Sequence, residues 1–116
     1  MTTEVRPRLN DPAAQAAAEA AVERFAAELQ EGLDAGEAET YDGSFAADVM
    51  WGSPYGRTLG DVEELLDVHR RLMAAAVAPS SRFEIVRVLA PAAGVAIAHI
   101  RRQALEESGF SEMGSE

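Results

Sequence analysis

The hydrophobic spacing of this chain changes period part-way along, and that switch limits the fold more than any other feature. From Ala13 to Leu33, Val22, Phe25, Ala26, Leu29 and Leu33 recur at helical spacing in an Ala- and Glu-rich segment. Asp11-Pro12 reads as an N-cap followed by proline at the first helical position, and Gly32 and Gly36 stand where this helix should stop. A short second helix is expected over Glu37 to Ser44, delivering Phe45 to the core. Asp48 to Ser53 reads as a strand and Pro54-Tyr55-Gly56 as the turn after it. The spacing predicts a third helix from Asp61, with Val62, Leu65, Leu66, His69, Leu72, Met73 and Ala76 on one side and Asp61/Glu64 as a capping box.

After Pro79 the pattern becomes β-like. Arg82 to Leu89 and Val95 to Leu105 are two strand-rich runs, joined across Ala90-Pro-Ala-Ala-Gly94 as a five-residue hairpin connection. Alternation puts Val95, Ile97, His99, Arg101 and Gln103 on one face of the second run, and Ala96, Ala98, Ile100 and Arg102 on the other. Apolar residues on both faces at its start predict a strand covered on both sides there. Helices followed by a hairpin define an α+β domain with a largely antiparallel sheet. The expected organisation is a flexible leader over 1–10, one domain over 11–113 and a polar tail over 114–116.

Composition excludes several chemistries. The 116 residues include no cysteine and no lysine, so thiol nucleophiles, disulfides, Schiff-base lysines and phosphate-loop lysines are all out. Two histidines, His69 and His99, cannot build a multi-histidine metal site, and neither a metal nor a cofactor is expected. A formal charge of −10 disfavours nucleic acid and anionic lipid as partners. No run of about 18 apolar residues is present to span a membrane. The opening Met1-Thr-Thr-Glu-Val-Arg-Pro-Arg has no apolar signal core, which predicts a cytoplasmic protein.

Few side chains can carry chemistry. His69 sits among Leu, Val and Met on an apolar helix face, where an imidazole needs a partner. It either projects into a pocket as acid, base or ligand contact, or is a core histidine bonded to a backbone carbonyl or to Trp or Tyr. Trp51 and Tyr55 flank Ser53 and offer flat apolar walls with polar tips. Tyr41 and Asp42 fit a solvated surface before they fit a donor and an acid at a pocket mouth. His99 and Arg101 share a strand face, and an Arg there would select an anionic or carbonyl-bearing ligand.

Several strings together are familiar: Leu33-Asp-Ala-Gly-Glu, Phe45-Ala-Ala-Asp-Val-Met-Trp-Gly-Ser-Pro-Tyr-Gly-Arg, and Gly60 opening the third helix. With the order of elements they resemble the nuclear transport factor 2-like superfamily, and within it the SnoaL-like and SgcJ/EcaC-type proteins of actinobacteria. The resemblance runs from about Asp11 to Met113. It implies a cone, a curved antiparallel sheet around about three N-terminal helices, with a pocket at the wide end.

The same resemblance implies that the last strand or strands of the family are lacking, so that strand 95–105 would expose an edge, lower the stability and favour association. The base of the ketosteroid isomerases, an Asp before the Pro-aromatic-Gly turn, is Ser53 here. The position of their oxyanion Tyr is Leu29, so isomerase chemistry of that kind is not expected. The resemblance then implies a small-molecule pocket protein of bacterial secondary metabolism. It would bind a hydrophobic, oxygenated, polyketide-like ligand, with His69, Ser53 and Tyr41 as catalytic candidates and Trp51, Tyr55, His99 and Arg101 as ligand contacts. The alternative is a non-catalytic binding or dimerisation module, a homodimer through the sheet.

Overall fold

The first helix, α1 (Pro12–Ala35), is closed at both ends by local chemistry. Asp11 caps it by accepting from the Ala13 amide at 3.0 Å. At the other end Gly36 turns left-handed at φ 68°, and Gly36 N–H and Glu37 N–H donate to Leu33 O and Gly32 O. These two bonds satisfy carbonyls that the helix leaves open, the arrangement of a Schellman stop. In a computed structural model, which describes residues 5–52, 56–75 and 80–105, α1 is followed by α2 (Ala38–Tyr41), β1 (Trp51–Gly52), β2 (Thr58–Leu59), α3 (Val62–Ala75), β3 (Ser81–Ala92) and β4 (Val95–Ala104). The protein is therefore α+β, with three helices and two small antiparallel sheets, β1–β2 and β3–β4, among the described residues.

The core lies between α1, α2 and the hairpin. Ala18, Val22, Ala26, Leu29 and Gly32 are the buried residues of α1, and the helix packs chiefly against β3 and α2. It also closes the free edge of β3. Gln30 donates to Ser81 O and accepts from Phe83 N–H, both at 2.9 Å, and Gln15 donates to Val88 O at 3.1 Å. At the far end Ala90 N–H donates to Asn10 Oδ1 and Ala90 O accepts from Asp11 N–H. Side-chain amides thus do for part of this edge what a further strand would do, pairing the backbone groups at Ser81, Phe83, Val88 and Ala90. Asn10 in the expected leader is tied to the sheet by the same contact.

Three expectations need correcting. The hairpin link is Ala93-Gly94, with Gly94 at φ 81°, and not five residues long. The bonds to Asn10 and Asp11 hold Ala90 extended, and the register shift between Leu89 and Ala92 accommodates Pro91, which has no N–H for the ladder. Of the strand expected over 48–53, residues 48–50 are not β, and Trp51–Gly52 pairs with Thr58–Leu59, a segment the sequence did not mark as β. The start of β4 is not covered on both sides: Val95 and Ile97 are 49% and 56% exposed, because the helices pack on the other side of the hairpin.

Helix α3 begins on the predicted caps. Glu64 N–H donates to Asp61 Oδ1, and the Glu64 carboxylate accepts from Gly60 N–H, both at 2.9 Å. Leu65 is its one completely buried residue, and Leu72, expected in the apolar face, is 47% exposed. Ala76 lies outside the described residues. No helix among the described residues is long and apolar enough to cross a membrane.

Candidate functional site: a His–Asp pair beside a small cavity

The site is assembled from four elements. Helix α2 supplies Tyr41 and, as its C-cap, Asp42. Its position depends on Gly32 of α1, where a Cβ would stand 2.6 Å from Tyr41 Cα. Only a residue without a side chain allows the two helices this approach. Helix α3 supplies His69, β1 supplies Trp51 and β4 supplies Arg102. An exposed pair, Arg70 Nε to Glu39 Oε2 at 2.7 Å, also joins α3 to α2. That bond holds the Glu39 carboxyl below its ordinary range.

His69 Nδ1 lies 2.7 Å and 3.0 Å from the two carboxylate oxygens of Asp42. A contact shared by both oxygens suits a ring N–H donating to an ionised carboxylate, since a protonated acid would engage through one oxygen. Nδ1 therefore carries a hydrogen, and Nε2 has no partner among the described residues. Asp42 is almost wholly buried, its side chain 2% exposed against 13% for His69. Burial raises the Asp42 carboxyl above its ordinary range, and the bond from His69 offsets part of that rise.

Two aromatic rings stand nearly perpendicular to the imidazole. Tyr41 lies 5.0 Å away at 85° and Trp51 5.8 Å away at 88°, centroid to centroid. Behind Trp51, Phe45 and Phe25 continue an aromatic row at 5.7 Å and 5.6 Å. Burial pushes the Tyr41 phenol above its ordinary value, opposed by the positive charge of Arg102 and reinforced by the charge of Asp42. It is a neutral O–H at physiological pH. A cavity of about 200 Å³ is lined by Gly36, Tyr41, Trp51, His69, Leu72, Met73 and Arg102.

The structure brings together four of the residues singled out in the sequence, His69, Tyr41, Asp42 and Trp51. Ser53 and Tyr55 lie outside the described residues. His99 and Arg101 are not at this cavity. His99 is exposed and stands opposite Arg87 in the register, and Arg101, also exposed, is paired with Glu84 at 3.2 Å. They occupy the uncovered face of β4, and alternation delivers the neighbouring Arg102 to the cavity instead. Asp42 is neither at a mouth nor on the surface but behind the imidazole. The adjacent Tyr-Asp at the end of a short helix was a visible signal for it, whereas Arg102 had only its shared parity with Ile100.

A buried carboxylate, an oriented imidazole and a nearby phenol can move protons to and from a bound molecule. Among the described residues no group of three or more His, Asp or Glu side chains is placed to hold a metal ion. The chain matches no family profile, no curated protein and no solved structure.

Proposed function

We propose that this chain is a small-molecule pocket protein in which His69, oriented by Asp42, serves as a metal-free acid/base toward a hydrophobic, oxygenated, polyketide-like ligand. The observation that carries the reading is the bond from His69 Nδ1 to Asp42, with Nε2 unpaired among the described residues at a cavity shared with Tyr41 and Trp51. Tyr41 orients the ligand through its hydroxyl and Trp51 supplies a flat wall. Ser53 and Tyr55, next in sequence after β1, are candidates to complete that wall. The cavity is smaller than the roughly 300–1,000 Å³ typical of drug-sized ligands, so it suits one or two fused rings rather than a longer polycycle. The sequence resemblance supports a cone of the nuclear transport factor 2-like type and a place in bacterial secondary metabolism.

Native mass spectrometry of the purified chain tests this reading. A small molecule retained by the wild type and lost from His69→Ala, with the variant still folded by circular dichroism, is the expected result. Equal retention by both would remove His69 from the site. The second reading, a dimerisation module without turnover, draws on Val95 and Ile97, exposed on one face of β4. Sedimentation of the wild type as a monomer at high concentration would dispose of it.

A further inference from the structure

Four groups at the cavity keep hydrogen-bonding capacity that the described residues do not use: the Arg102 guanidinium, the Tyr41 hydroxyl, the Trp51 ring N–H and His69 Nε2. Arg and Trp only donate, Tyr can donate, and only the imidazole is chiefly an acceptor. A cavity with this balance matches a ligand that presents acceptor oxygens.

Arg102 sharpens the point. Arg70, Arg71 and Arg101 find carboxylates, in Glu39, Asp67 and Glu84, whereas Arg82, beside it in the register, pairs with none among the described residues. Arg102 likewise has no carboxylate partner among the described residues, which include fifteen of the chain's twenty acidic residues. Its Cζ lies 5.7 Å from the centroid of the Phe83 ring, a cation–π contact that steadies the guanidinium without using any of its N–H groups. Phe83 is held in turn by Tyr41 at 6.1 Å and by its register opposite Arg102. The planar fork is thus seated and open. Across the cavity Trp51, Leu72 and Met73 offer an apolar surface.

We infer that the ligand is a small carboxylate with a flat apolar body, its carboxylate held bidentately by Arg102 and its ring against Trp51. This rests on the cavity being a ligand pocket and names the class of ligand. It makes Arg102 the specificity-determining residue. The Tyr41 O–H can donate to the same group, and His69 Nε2 remains for the ligand's second polar site.

Titration of the full chain with benzoate and with methyl benzoate tests the inference. Calorimetry reads the affinity, and the emission of Trp51, the only tryptophan, reports the site. Charge-assisted bidentate bonds predict that benzoate binds at least about tenfold more tightly than its ester. Arg102→Gln should abolish that preference, the two compounds then binding alike. Arg102→Lys keeps the charge without the fork and should retain only part of the preference, and Arg101→Gln should retain all of it. Equal binding of the two compounds, or a preference that survives Arg102→Gln, overturns the carboxylate assignment and leaves the pocket standing. If neither compound binds or alters Trp51 emission, the pocket and the assignment fall together.

Discussion

Replacing Asp42 with alanine puts the central contact of this protein under a direct load. Among the described residues the carboxylate is the only partner of His69 Nδ1, at 2.7 Å, and the imidazole is itself largely buried. Removing it strands a donor where water has little access, which costs about 1–3 kcal/mol. For a chain of this length about 1 kcal/mol corresponds to roughly 4 °C in melting temperature, so Asp42→Ala should melt about 4–12 °C below the wild type. Asp42→Asn keeps an acceptor oxygen and should lose less. A second replacement, His69→Leu in the Asp42→Ala background, removes the stranded donor and should recover part of the loss, giving a coupling of about 1 kcal/mol or more.

Thermal melts of the four proteins give the cycle, and ring-nitrogen NMR gives an independent readout. The wild-type ring should carry its hydrogen on Nδ1, and Asp42→Ala should lose that preference. Additive losses together with an unchanged tautomer would refute the contact as the organiser of the site.

The same pair sets a pH dependence. Because burial raises the folded-state Asp42 carboxyl above its unfolded value of about 3.9, the folded chain holds that proton more tightly. This contribution to stability is complete below the unfolded value and is lost as pH rises through the raised one. Melting curves of wild type against Asp42→Asn should therefore show the wild type losing relative stability as pH climbs from about 4, and a slope of the opposite sign would contradict the assignment.

Gly32→Ala should separate α2 from α1, lower the melting temperature and weaken ligand retention together, since the added Cβ meets the Tyr41 backbone; unchanged retention would disprove that dependence. Gln30→Ala should speed hydrogen exchange at the Phe83 amide and cost about 1–3 kcal/mol, because it unpairs two backbone groups at the β3 edge. Leu65→Ala, at the completely buried position of α3, should cost about 2–5 kcal/mol in chemical denaturation, and a loss below about 1 kcal/mol would show that the site is looser than its burial implies.

What the chain carries in its own letters is local. Asp11-Pro12, Gly36 and the Asp61/Glu64 pair mark helix ends because caps act within a few residues of backbone. The change of apolar period separates helices from hairpin for the same reason. These rules also placed His69 on the inner side of α3 and set Arg101 and Arg102 on opposite faces of β4. They could not say which face is covered, since a strand's parity is symmetric until something packs on it. Helix α1 breaks that symmetry through side-chain amides reaching the β3 backbone across 51 and 73 positions of sequence, which left Arg102 rather than Arg101 at the cavity. Asp42 likewise reads as an ordinary polar residue until α3 folds over it and His69 meets it from 27 positions away. The pairing of β1 with β2 escaped for a similar reason, as two residues in each strand give alternation nothing to act on. Local chemistry decided the elements, and burial by distant partners decided which of their side chains form a site.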